Sequence, residues 1–251
     1  ENMPKGMCKL CLKYRDLQES HLMPRALYRM ARGLGTKGNQ DPHLLTAKGG
    51  RPSSHQVKDY VLCWDCEQRF SKNGEHYVMG LLTKRNKIFP LLEMLNNVAP
   101  TMKGPSWKMY SSSDTPIIDR DKVAYFAISV FWRASVHTWE QENGEQTRIR
   151  LGDKYNEQVR KYLLGETSVP KNASLQVIVC SDVTNQNTFF PPQENQKVRD
   201  RSVIFLARGV LFFFRMSSTL QGFQQRLSVV NNKQGWITTR NCADRPVWAV
   251  G

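Results

Sequence analysis

Two Cys-x-x-Cys pairs, Cys8-Lys9-Leu10-Cys11 and Cys63-Trp64-Asp65-Cys66, constrain this chain more than anything else in it. Each pair has the spacing of a tight turn that aims two thiolates at one ion, and two such turns complete a closed tetrahedral site of four sulfurs. A site with no open position is structural, so Cys8, Cys11, Cys63 and Cys66 are expected to hold one zinc ion as a scaffold. Disulfides fit poorly with a chain whose start, Glu1-Asn2-Met3-Pro4-Lys5, lacks the apolar core of an export signal. A thioredoxin-like redox pair would account for one Cys-x-x-Cys and leave its twin idle. Cys180 and Cys242 stand alone, and Cys180 closes an apolar strand-like run where a buried, inert thiol is expected.

The 51 residues between the pairs must carry elements of their own. Arg25 to Arg32 reads as a short helix, with Pro24 tolerated at its first turn and Gly33 as its stop. Arg25, Arg29 and Arg32 fall at i, i+4 and i+7, one basic stripe that can hold a phosphate backbone. From Gly33 to Ser54 the Gly-, Pro- and Ser-rich composition predicts a flexible loop. Gln56 to Leu62 reads as a strand delivering the second pair, and a helix follows Cys66 towards Leu82. Trp64, inside the second pair, is expected to pack against the zinc module.

Lys and Arg number 36 against 22 Asp and Glu, a formal charge of +14. The excess is not a detachable tail: residues 1–80 hold 13 basic and 8 acidic residues, residues 81–251 hold 23 and 14. A positive field spread this way favours polyanions, above all nucleic acid, through phosphate neutralisation and counterion release. No apolar run approaches the length of a membrane span. The expectation is a soluble, cytoplasmic protein in a reducing compartment, with DNA a better candidate partner than RNA and no membrane partner.

The order of these motifs resembles the HNH, or ββα-metal, endonucleases built on a treble-clef zinc core. The shared elements are Cys8 and Cys11, then His21-Leu22-Met23-Pro24, then Val61-Leu62-Cys63-Trp64-Asp65-Cys66 opening a helix. The resemblance covers about the first 80 residues. It implies that His21 is the general base that activates water, near neutral pH, beside a divalent ion that neutralises charge on the phosphodiester. It also implies metal ligands immediately before the base and after the last cysteine. This chain has Ser20 and Glu67 there: Glu67 is an acceptable oxygen ligand for Mg2+ or Mn2+, whereas Ser20 is a weak one. The family's central Asn has no clear counterpart; Asn39, His43 and His55 lie in the stretch that would carry it, with Glu75 and His76 as outside candidates.

Beyond residue 100 the pattern changes. Residues 101–120 read as a connecting segment, and a helix capped by Asp119 or Asp121 then runs through Val123, Phe126, Ala127, Val130, Phe131 and Ala134. A second apolar stripe, Tyr125, Ile128, Trp132, Val136 and Trp139, predicts a central, buried helix. A further helix is expected from Asp153, as its cap, to Leu164, with Gly165 as its stop. Strands follow at 175–179, 203–207 and 210–214, with a turn or bulge at Gly209, then a hairpin pairing Leu227–Val230 with Trp236–Thr239. There is no P-loop, dinucleotide-binding glycine fingerprint or Gly-x-Ser-x-Gly elbow.

The fold class expected is α+β, with an N-terminal treble-clef/ββα-metal zinc module over 1–100 and a larger α+β domain over 101–251. The second domain is left to targeting, sensing, partner binding or self-association. The function expected first is a metal-dependent HNH-like endonuclease hydrolysing DNA. The alternative is a non-catalytic zinc-containing module that binds nucleic acid or protein, towards which Ser20 and the missing Asn point.

Overall fold

The computed structural model describes residues 3–33, 43–46, 49–52, 56–83, 88–141, 144–182, 189–195, 202–220 and 222–242. The side chains of 30–33, 43–46, 49–52 and 223 lie outside that description. In chain order come strands β1 (Lys5–Met7) and β2 (Tyr14–His21), helix α1 (Arg25–Gly33), and strands β3 (His43–Thr46), β4 (Gly49–Pro52) and β5 (Lys58–Cys63). Helix α2 (Trp64–Phe70) passes through a π turn at Ser71–Glu75 into α3 (His76–Leu82), followed by α4 (Pro90–Asn96). Strands β6 (Met102–Lys103) and β7 (Trp107–Tyr110) precede the long helix α5 (Arg120–Val136), and a small hairpin, β8 (Trp139–Glu140) and β9 (Gln146–Thr147), precedes α6 (Asp153–Leu164). The chain ends in β10 (Ala173–Cys180), β11 (Phe189–Glu194), β12 (Ser202–Ala207), β13 (Val210–Met216), α7 (Gly222–Arg226) and β14 (Ile237–Arg240).

The fold is α+β. A three-stranded N-terminal sheet, β1-β2-β5, carries the cysteine pairs, and a nine-stranded mixed sheet runs β4-β3-β11-β12-β13-β10-β14-β7-β6. The stretch expected as a flexible loop instead contributes strands: His43–Thr46 and Gly49–Pro52 pair antiparallel, and β3 pairs in parallel with β11 at Phe189↔Leu44. Backbone groups that composition marks as loop find their partners on the edge of a distant sheet. The segment 101–120 is likewise more than a connector, because β6 and β7 close the opposite edge.

α5 joins the two sheets. Asp119 caps it by accepting from the Lys122 amide at 3.0 Å, and every residue from Val123 to Ser135 is buried. One side sends Phe126 and Phe131 onto β12 and β13, with ring centroids 4.9–6.0 Å from Phe205, Phe212 and Phe214. The other side packs Trp132 and Tyr125 edge-on against Phe70 of α2, at 6.1 and 6.2 Å. The expected all-round burial is therefore met, with an arginine, Arg133, among the buried residues. The π turn comes close to this helix: a Cβ at Gly74 would stand 2.7 Å from the Phe126 amide nitrogen.

Two local expectations differ. Gly152, at φ 88°, precedes α6 and Asp153 is its first helical residue, while Gly165 stops it as expected at φ 76°. Leu227–Val230 is not a strand: the Ser228 hydroxyl accepts from the Leu175 amide, and the Asn231 side chain binds the Pro170 and Ala173 carbonyls. Such side-chain bonds hold the backbone out of a ladder. β14 instead pairs parallel to β10 and antiparallel to β7. Among the described residues no helix is long and apolar enough to cross a membrane.

Candidate metal centre and the polar cluster beside it

The first cysteine pair sits at the tip of the β1–β2 hairpin. The Cys8 amide donates to Lys13 and the Leu12 amide to Cys8, and Leu12 takes φ 57°, so the chain turns back tightly around the sulfurs. Leu17 folds under the hairpin against Gly6, where any Cβ would stand 2.7 Å from it. The second pair spans a strand-to-helix junction, with Cys63 ending β5 and Cys66 in the first turn of α2. The Lys9 amide donates to Val61 at 3.1 Å and the Cys63 amide to Cys8 Sγ at 3.3 Å, which locks the two turns face to face.

The four sulfurs lie within 4.8 Å of one another, with Cys11 and Cys63 3.8 Å apart. Zinc–sulfur bonds of about 2.3 Å at tetrahedral angles require an edge of about 3.8 Å, so the donor set fits zinc. The protons tell the same story. Cys8 is held down at about 4, first by the hydrogen bond from the Cys66 thiol and then by backbone amides. Cys66, donating that bond, is pushed far up, and burial raises Cys63. Without a cation, one thiolate is stabilised by its neighbours' protons; a bound zinc ion takes the place of those protons.

Beside this centre the chain gathers a polar cluster. His21 ends β2, half-buried, with Nε2 2.9 Å from Gln56 Oε1. Burial holds its imidazole below the ordinary value, opposed by the Gln56 bond. Ser20 is buried; its hydroxyl accepts from the Leu62 amide at 3.1 Å and donates to the Gln18 carbonyl at 3.4 Å. Glu67 is raised by burial, against the opposing charge of Arg133, and its Oε1 has no hydrogen-bond partner among the described residues. Arg133 reaches in from α5: Nη1 donates to the His21 carbonyl at 2.9 Å, Nη2 pairs with Glu75, and the guanidinium lies 5.3 Å from the Phe70 ring centroid. Its side chain is 1% exposed.

The structure thus brings Ser20, His21, Glu67 and Glu75 together. His76 is exposed on α3. Asn39 and His55 lie outside the described residues, as do the side chains of His43 and Arg32. Arg25 and Arg29 are exposed on α1. Among the described residues, His21, Glu67 and Glu75 do not form a group of three converging ligand atoms; the cysteine quartet and a second group, Cys180, Asp182 and Cys242, do. Arg133 is not among the residues that motif spacing points to, although a lone cation inside an apolar helix is a signal that a buried anion must face it.

Trp64 is 58% exposed and does not pack into the module. With Tyr14, Met3, Lys5, Arg15 and Asp65 it lines a cleft of about 540 Å3, across which Arg15 and Asp65 pair at 2.8 Å. Cys180 and Cys242 do not stand alone: their sulfurs are at disulfide distance, with Cα atoms 5.5 Å apart. Strands that seem unrelated in sequence, 62 residues apart, are made neighbours by the sheet. The chain matches no family model, no curated protein and no solved structure.

Proposed function

We propose that this chain is a zinc-scaffolded nucleic-acid-binding protein of HNH-like, treble-clef build, in which Arg133 fills the place of a catalytic divalent ion. The observation that carries this reading is the buried guanidinium set among the His21 carbonyl, Glu75 and Glu67. A hard cation needs several oxygen ligands. Here Glu75 is engaged by Arg133, the Ser20 hydroxyl is engaged by Leu62 and Gln18, and the guanidinium charge opposes a second cation.

Binding has separate support. The chain carries a charge of +14, and Arg25 and Arg29 stand exposed on the helix that follows His21-Leu22-Met23-Pro24. Tyr14 and Trp64, 68% and 58% exposed, offer ring faces on which unpaired bases can stack. The test is fluorescence anisotropy with labelled single-stranded and duplex DNA between 50 and 200 mM salt. Affinity is expected to fall steeply with salt, and Arg25→Glu with Arg29→Glu to weaken binding to both DNAs, with a shallower salt slope. Absent or salt-independent binding refutes the reading.

One observation favours the endonuclease as a second reading: the buried Glu67 Oε1 atom has no hydrogen-bond partner among the described residues, and burial lowers the His21 imidazole below its ordinary value. In that reading Glu67, with Ser20, would hold Mg2+ or Mn2+, which supplies charge neutralisation at the phosphate. His21 takes the proton of the attacking water at Nε2 after leaving Gln56, and Arg133 fixes the strand that carries it. Nicking of supercoiled plasmid in Mg2+ or Mn2+, lost in His21→Ala with zinc content retained, would establish it over simple binding.

A further inference from the structure

The cysteine pair of the large sheet forms a site of its own. Cys180 closes β10 and Cys242 follows β14, the strand parallel to it, with Cys180 in register with Arg240. The Cys180 amide donates to Gly209 and the Ser181 amide to Arg240, which pins both strand ends. Alternation along β12 and β13 divides their side chains: Val203, Phe205, Phe212 and Phe214 join the main core, whereas Ile204, Leu206 and Leu211 form a second cluster with Cys180, Cys242 and Phe190. Both cysteines are enclosed by it, at 0% and 5% exposure.

A structural disulfide would be complete with the two sulfurs. This one has a carboxylate beside it. Asp182 Oδ2 accepts from the Cys242 amide at 2.9 Å, and a carboxylate oxygen and both sulfurs lie within 4.8 Å of one another. Two thiolates and a carboxylate in an apolar enclosure are a donor set for a thiophilic d10 ion, with water left to complete four-coordination. The backbone bond to Asp182 orients its carboxylate in the way outer partners orient metal ligands.

We propose that Cys180, Asp182 and Cys242 form a second zinc site, closed while the two cysteines are joined as a disulfide and opened by reduction. A dithiol donor delivers two electrons and two protons: its own disulfide forms, the Cys180–Cys242 bond breaks, and two protein thiols result. Rotation about the cysteine χ1 torsions parts the sulfurs without moving either strand. Zinc then displaces both thiol protons, making two Zn–S bonds and one bond to Asp182. Oxidation by a disulfide-exchanging oxidant reverses the sequence and expels the ion. The site shares no residue with the four-cysteine centre, and it stands whether or not the chain binds nucleic acid.

The test is zinc stoichiometry by elemental analysis of the full chain, loaded with zinc chloride and freed of excess, with and without a phosphine reductant. The unreduced protein is expected to hold one equivalent and the reduced protein two. In reduced Asp182→Ala and Cys242→Ser the count returns to one, the intact four-cysteine centre reporting that the chain still folds. Reduced Cys63→Ser, which breaks that centre, keeps one equivalent at the second. One equivalent in the reduced wild-type protein overturns the site, and six free thiols in the unreduced, denatured, metal-free protein overturn its gating by a disulfide.

Discussion

Replacing Arg133 by Met tests the central feature of the polar cluster. Methionine keeps an unbranched stem over Phe70 and removes only the charge and its donors, so packing changes little. Glu75, 17% exposed, then keeps a carboxylate without its cation. Breaking a buried ion pair costs about 3–5 kcal/mol, and partial exposure of Glu75 places this case near about 3 kcal/mol. Loss of the donor to the His21 carbonyl adds about 1 kcal/mol, for a total of about 4 kcal/mol. The assay is urea unfolding of the zinc-loaded protein at pH 7.5, followed by tryptophan fluorescence. Arg133→Met with Glu75→Gln removes the orphaned charge, and its loss should be only about 1–2 kcal/mol. A single-mutant loss below about 1 kcal/mol, or a double mutant no more stable than Arg133→Met, refutes the claim that the guanidinium neutralises this cluster.

Gly74→Ala drives a methyl into the backbone of α5 at Phe126, which cannot yield as a side chain would, and should cost about 2 kcal/mol in the same unfolding assay. Gly80→Ala, with nothing among the described residues within 4 Å of the added Cβ, serves as the control and should be neutral or slightly stabilising; equal losses would deny the close approach. For His21, burial lowers the folded imidazole, so on acidification the unfolded chain takes up the proton first. Stability of the wild-type protein should therefore decline as pH falls below about 6.5, whereas His21→Gln lacks that component and runs parallel to wild type above pH 7.5. Urea midpoints measured from pH 5 to 8 decide it, and curves parallel over the whole range would show that burial does not shift this ring.

The sequence was most legible where chemistry demands a fixed spacing or period. The four clustered cysteines could be grouped because two Cys-x-x-Cys spacings impose two tight turns suited to one ion, and α5 because apolar residues covered its circumference. Reading failed where partners come from far along the chain. Composition marked 33–54 as loop, but β3 needs only an available edge, and β11 supplies it 145 residues later at Phe189↔Leu44. Ser228 and Asn231 looked like parts of a hairpin until their side chains took backbone partners on β10 and the segment before it.

The candidate site divides in the same way. Local sequence determined each thiol turn and the adjoining Ser20-His21 and Cys66-Glu67 pairs, because bond geometry acts over a few residues. Only the tertiary structure decided what confronts those groups: Arg133, 112 residues beyond His21, enters on a helix whose position is set by aromatic packing against the large sheet. Parallel pairing of β14 with β10 brings Cys242 to Cys180. Charge balance in a dry interior depends on which side chains meet in space, and that is settled when the two sheets close on α5.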